Sequence, residues 1–175
     1  MKKIYIVLTY TGTILSKLVK MYTKKEYSHV SIALDEDLKE MYSFGRTYAY
    51  FPFIAGFVHE EIDKGTFKRF KKTKTRIYSL QVPDEKYDKV LKIINSIKEH
   101  RNEYDFNIIG LFGVAINLKF RREKSFYCAE FVKYVLETSK INEELPELVK
   151  PEDFKKMKGL CIEYSGILKE YNSYW

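Results

Sequence analysis

Residues 3–9 bring β-branched and aromatic side chains together in the apolar run Ile4, Tyr5, Ile6, Val7 and Leu8, and this pattern predicts a first strand. Thr11-Gly12-Thr13 makes a turn, and residues 14–21 then carry apolar positions at helical spacing. Residues 27–34 read as a second strand, with Val30, Ile32 and Leu34 on one face and His29, Ser31 and Ala33 on the other, so that His29 occupies the less apolar side. The acidic turn Asp35-Glu36-Asp37 predicts a hairpin returning over residues 39–44, which brings Glu40 across from or beside His29, with the register left open. Residues 48–58 are aromatic but aperiodic, broken by Pro52 and Gly56, and predict a loop or lid. A strand is expected at 76–82.

Helical signals dominate the second half. Pro83-Asp84-Glu85 is a helix start, and Tyr87, Val90, Leu91, Ile94 and Ile97 make an amphipathic face ending near His100. The apolar stretch 104–118 predicts a second helix. Cys128, Phe131, Val132, Val135 and Leu136 follow i, i+3, i+4, i+7, i+8 and predict a third over 126–138, with Cys128 opening its buried stripe. Residues 143–157 form a polar connection containing Pro146 and Pro151, and 159–168 a final strand. No internal repeat or linker interrupts the chain. The expectation is one α+β domain over residues 1–175, an antiparallel sheet packed against helices.

Composition narrows the class. With 175 residues, 45% of them hydrophobic and 16% aromatic, the chain has enough apolar surface for one substantial core. Two cysteines without a regular framework do not predict a disulfide-stapled fold, and residues 4–8 are too short and strand-like for a signal-peptide core, so a reducing, cytoplasmic setting is expected. The run 106–118, interrupted by Asn107, Gly110, Gly113 and Asn117, is too short to span a bilayer. The formal charge of +7 is densest over residues 64–76, where Phe67 and Phe70 interleave with lysines and arginines. Such a run suits an anionic lipid surface or stacked bases, but a solvated loop is the simpler reading, and the absence of a helix-turn-helix, zinc-finger or RNA-binding signature argues against nucleic acid.

The candidate chemistry is thiol chemistry. A cysteine in the first turn of a helix faces unpaired backbone N–H groups and the positive end of the helix dipole, which favour the thiolate and can also stabilise an oxyanion. Such a nucleophile needs a base, and a third polar group to orient that base. His29 is the best base candidate, because His100 sits at a basic helix end and His59 in an aperiodic segment. Glu40 is the candidate third member. Cys161, in Leu160-Cys161-Ile162, reads as a structural filler. No pair of residues has metal-ligand spacing, no cofactor signature is present, no glycine-rich phosphate loop appears, and there is no G-x-S-x-G elbow.

The order of these groups carries a resemblance. Tyr27-Ser28-His29-Val30-Ser31-Ile32, the following Glu40, Tyr104-Asp105-Phe106, Phe126-Tyr127-Cys128-Ala129-Glu130-Phe131-Val132 and Pro151-Glu152-Asp153-Phe154 together resemble the circularly permuted papain-like amidases, the YiiX-type branch of the NlpC superfamily. In ordinary papain-like enzymes the cysteine precedes the histidine. The resemblance spans nearly the whole chain and implies Cys128 as nucleophile, His29 as base and Glu40 as its orienting partner, with Tyr27, Tyr104 and Asp105 near the substrate or the start of a helix. Two features depart from the family: its Gly-Asp pair is not evident near Tyr10-Thr11-Gly12, and Ala129 stands where serine is common. The implied activity is hydrolysis of an amide, in a peptide or cell-wall-like fragment, through a cysteine thioester. Lecithin retinol acyltransferase-like lipid acyl transfer or deacylation is the alternative within this architecture. A non-catalytic protein holding an anionic partner through residues 64–76 is the alternative outside it.

Overall fold

The computed structural model describes residues 1–47, 55–115, 118, 120, 122–141 and 144–173. Its framework is a six-stranded antiparallel sheet in the order β4-β3-β2-β1-β5-β8. The strands are β1 (Lys2–Tyr10), β2 (His29–Ala33), β3 (Met41–Arg46), β4 (Ala55–Glu60), β5 (Lys74–Val82) and β8 (Leu160–Ile167). Its helices are α1 (Ile14–Thr23), α2 (Gly65–Arg69), α3 (Asp84–Glu99), α4 (Ile108–Ala115) and α5 (Cys128–Thr138). Two short strands, β6 (Asp105–Phe106) and β7 (Ser125–Phe126), pair in parallel outside the main sheet. The fold class is therefore α+β, as the hydrophobic pattern predicts.

The central strand β1 is buried on both faces, which explains its nearly continuous apolar run. Ile4, Ile6 and Leu8 point with Val30, Ile32 and Leu34 into a core shared with α3 and α5, which contribute Val90, Ile94, Phe131, Val132 and Leu136. Tyr5 and Val7 point the other way, into a second core with Ala33, Met41, Ile77, Phe67 of α2, and Leu168 and Tyr171 of the C-terminal turns. Phe44 anchors one end of the first core, its ring 5.3 Å from Phe131 and 5.4 Å from Phe126.

Several expectations need correction. Residues 55–60 form strand β4 on the edge of the sheet, paired along its whole length with β3, rather than part of a lid; the expectation for residues 48–54 lies outside the described residues. The apolar stretch 104–118 is not one helix. Asn107 ends β6 and caps α4: its Oδ1 accepts the Gly110 N–H at 2.8 Å, so the helix begins at Ile108. Within the basic run 64–76, Phe67 is buried beneath α2 and is not available to stack on a base or dip into a membrane. Cys161 is exposed rather than a buried filler, because no residue of β8 is buried.

Candidate active site

The nucleophile candidate is placed by two linked helix starts. Cys128 is the first residue of α5, so its backbone N–H and that of Ala129 have no carbonyl to bond within the helix. Glu130, one turn in, reaches back with Oε2 to accept the Tyr127 N–H at 3.2 Å. The same Oε2 accepts from Asn107 Nδ2 at 3.1 Å, and Asn107 Nδ2 also donates to the Phe120 carbonyl at 2.9 Å. Asn107 is only 2% exposed and thus ties the start of α4 to the start of α5 through buried hydrogen bonds. Tyr127 is fixed from the other side, its hydroxyl donating to the Val149 carbonyl at 3.0 Å. Cys128 itself is 5% exposed.

The base candidate comes from the opposite element. His29 opens β2 and faces the same way as Ser31, as the alternation predicts, and its Nε2 lies 3.0 Å from Glu60 Oε1. Ser31 Oγ lies 3.3 Å from the same nitrogen and donates a hydrogen bond to Glu60 Oε2. The Cys128 sulfur lies close enough to act on the charge of the ring, and the two side chains line the same cleft. Gly45 lies directly against the imidazole: a Cβ there would stand 3.4 Å from His29 Cε1, an ordinary van der Waals contact.

Charge binds the three groups together. Burial alone would lower the His29 imidazole, but the Glu60 carboxylate and the Cys128 sulfur outweigh it and raise the group from 6.5 to about 10. Burial pushes the Glu60 carboxyl up, while the His29 charge and the hydrogen bonds from His29 and Ser31 outweigh that and hold it below its ordinary 4.5. An imidazolium between a carboxylate and a sulfur is the state these partners favour.

Glu40 does not join this constellation. The turn after β2 is tight, so the Glu40 carbonyl accepts the Leu34 N–H at 3.0 Å, at the far end of the strand from His29. Alternation also puts Glu40 on the face of Tyr42, whose hydroxyl donates to its carboxylate. Glu60 reaches His29 because Glu60 pairs with Met41 and Met41 with Ala33, which sets it on the His29 face. The sequence signal for it was the pairing capacity of Phe57-Val58-His59-Glu60, a second returning strand that the flanking aromatic stretch obscures.

The groups converge on a cleft of about 660 Å³, open to solvent, whose lining includes His29, Glu60, Cys128, Arg46, Thr11 and Thr13. Thr13 caps α1, its Oγ1 accepting the Ser16 N–H at 3.2 Å. Burial, with Arg69 nearby, lowers Arg46 from its ordinary value and Glu60 partly offsets this; the guanidinium remains a cation at the cleft wall.

The other residues named from the resemblance lie elsewhere. Tyr27 is 2% exposed and core-packed, its N–H donating to Glu152 Oε1 at 2.9 Å, with Lys155 Nζ 4.6 Å from its ring centroid. Tyr104 stacks on Phe126 at 6.2 Å, and Asp105 is exposed, 3.9 Å from Arg122. None of the three lines the cleft; Phe106, beside them, does. Among the described residues no group of three or more metal-ligating side chains is assembled, and no helix is long and apolar enough to cross a membrane. Neither family models nor curated proteins gave a match to this chain.

Proposed function

We propose that this chain is a cysteine hydrolase acting on an amide, built on a permuted papain-like plan. The observation that carries this reading is His29 held between the Cys128 thiol and the Glu60 carboxylate at the wall of an open cleft. The order histidine, carboxylate, cysteine along the chain supports it, with Glu60 taking the orienting role that the resemblance assigns to Glu40.

In this reading Cys128 Sγ, its proton already on His29, attacks the amide carbonyl carbon. The resulting oxyanion accepts hydrogen bonds from the first N–H groups of α5. His29 then gives its proton to the leaving nitrogen as the C–N bond breaks, which releases the amine and leaves a thioester on Cys128. Water, deprotonated by His29, attacks that thioester; the C–S bond breaks, the carboxylic acid leaves and the thiolate–imidazolium pair returns. Glu60 keeps the ring in the orientation that serves both steps.

The test is capture of the intermediate. Mixing the protein with an activated acyl anilide and quenching in acid should give an acyl adduct on the peptide containing Cys128, absent in Cys128→Ser and much reduced in His29→Ala. A non-catalytic protein that binds an anionic partner through residues 64–76 would give no adduct.

A further inference from the structure

Large apolar side chains reach the solvent mainly on one part of the surface. On α1, Ile14 and Met21 stand two turns apart on the outer side of the helix and are 81% and 60% exposed. On α4, Ile108, Ile109 and Phe112 are exposed as well. Leu118 and Phe120, also exposed, fold back against α4: the Leu118 N–H donates to the Gly113 carbonyl at 2.9 Å, and a Cβ on Gly113 would stand 2.8 Å from the Phe120 ring. These two segments hold seven of the eleven large hydrophobic side chains that the described residues expose. The helices are neighbours, Leu18 and Val19 of α1 meeting Leu111 and Val114 of α4 around a small recess. They also wall the cleft, which Thr13 and Ser16 at the start of α1 and Leu111 of α4 line.

The charge of these segments has one sign. Residues 11–25 hold Lys17, Lys20, Lys24 and Lys25, residues 106–122 hold Lys119, Arg121 and Arg122, and neither segment contains Asp or Glu. The four lysines of the first segment are exposed and, among the described residues, make no ion pair; Lys20 Nζ lies 4.6 Å from the Tyr10 ring centroid. The acids just outside are engaged, Glu26 at 3.8 Å from Lys155 and Asp105 at 3.9 Å from Arg122. The basic run 64–76 differs. Its Phe67 is buried, and its Phe70 ring lies 5.6 Å and 5.3 Å from the Arg46 and Arg69 guanidiniums, so that run offers charge without free apolar surface.

We propose that the α1–α4 face seats the protein on an anionic phospholipid bilayer, the two helices lying in the plane of the headgroups and the cleft they wall beside the membrane. Exposed apolar side chains flanked by long cations are the pattern of a helix that lies in an interface. The lysine stems rest on apolar surface while their ammonium groups reach the phosphates. Charge decides among occupants. A second copy would set two cation-rich segments against each other with no carboxylate from either, whereas an anionic bilayer supplies both the apolar layer and the counter-charge. The seating uses no atom of Cys128 and goes beyond the hydrolase reading: it puts the cleft where substrates at a lipid surface are concentrated.

The experiment is co-sedimentation of the full chain with vesicles of phosphatidylcholine alone or mixed with phosphatidylglycerol, at low and high salt. The protein should partition to the mixed vesicles at least about tenfold more strongly than to the neutral ones, and more weakly at high salt. Each lysine near the anionic surface is worth about a fivefold gain, so Lys17→Gln/Lys24→Gln should weaken binding by about tenfold or more and flatten its salt dependence. Met21→Ser/Ile109→Ser, two exposed positions, should weaken binding by about tenfold at both salt concentrations, with an unchanged urea midpoint showing that the fold is intact. Lys71→Gln/Lys72→Gln removes the same charge from the 64–76 run and should stay within about threefold of wild type. No binding to the mixed vesicles, an equal loss in the two lysine pairs, or a Met21→Ser/Ile109→Ser variant that binds like wild type overturns the proposal. So does a concentration-dependent dimer in analytical ultracentrifugation that this apolar variant abolishes, which would assign the face to a second copy. Cys128→Ser should bind vesicles as wild type does, so failure here leaves the hydrolase reading intact, and failure of that reading leaves the vesicle result standing.

Discussion

Replacing Glu60 with Gln removes one charge and preserves the shape of the side chain and its capacity to accept from His29. His29 Nε2 and Glu60 Oε1 are 3.0 Å apart, and the two side chains keep only 20% and 13% of their exposure. With charge centres about 4 Å apart and an effective dielectric near 20, the attraction is about 4 kcal/mol, or about three pK units. Partial solvent access trims this, so the imidazole should fall by roughly two units from its wild-type value. In the wild type, Glu60 and Cys128 against burial place it at about 10, so the ring stays protonated through neutral pH; in Glu60→Gln it should titrate about two units lower, at about pH 8. Following the imidazole Cε1–H resonance against pH reads this directly, with His29→Ala identifying the signal among His29, His59 and His100. A His29 midpoint within about half a unit of wild type would mean that Glu60 is a neighbour and not the charge partner that defines the site.

Glu40→Gln should leave both the His29 titration and the labelling rate of Cys128 at wild-type levels, since Glu40 bonds to Tyr42 on the opposite face; a slowed Cys128 would restore Glu40 to the site. Asn107→Ala strands the Gly110 N–H and the Phe120 carbonyl and frees Glu130 from one of its donors. It should lower unfolding free energy by about 2–4 kcal/mol, measured by urea denaturation, and slow Cys128 labelling through a displaced α5. Glu60, held below its ordinary 4.5, contributes fully above that value and loses its contribution as pH falls through the folded one, whereas His29, raised from 6.5 to about 10, contributes fully below 6.5 and loses its contribution as pH rises toward 10. The stability advantage of wild type over a His29→Gln/Glu60→Gln double variant should therefore peak at about pH 5.5 and shrink toward pH 9; an advantage independent of pH contradicts the ion pair.

Much of this architecture is legible in the chain because strong periodicity coincides with burial. The stripe of Cys128, Phe131, Val132, Val135 and Leu136 fixes α5 to within two residues, and Pro83 followed by Asp84 and Glu85 fixes the start of α3. The side of β2 that carries His29 follows from alternation alone. Glu60 is not legible for a different reason: β4 is half-buried apart from the exposed His59, with Gly56 and mixed side chains that give no clean period, and its partnership with β3 is a matter of register. The choice of Glu40 relied on proximity in sequence, yet the alternation that orients His29 also turns Glu40 away once the register is set. The stretch 104–118 misled because apolarity alone does not distinguish a strand end, a cap and a helix; Asn107 was the marker of the boundary.

In the proposed mechanism Cys128 is an activated thiol paired with His29. The most direct measurement is the pH dependence of alkylation by iodoacetamide, with the Cys128 and Cys161 peptides resolved by mass spectrometry. Cys161 is exposed and serves as the internal reference for an ordinary thiol. Although Cys128 is buried, it should label faster than Cys161 at about pH 6, and His29→Ala should abolish that advantage while leaving Cys161 unchanged. Cys128 labelling that is slower than Cys161 at every pH, or that is indifferent to His29, would contradict the account.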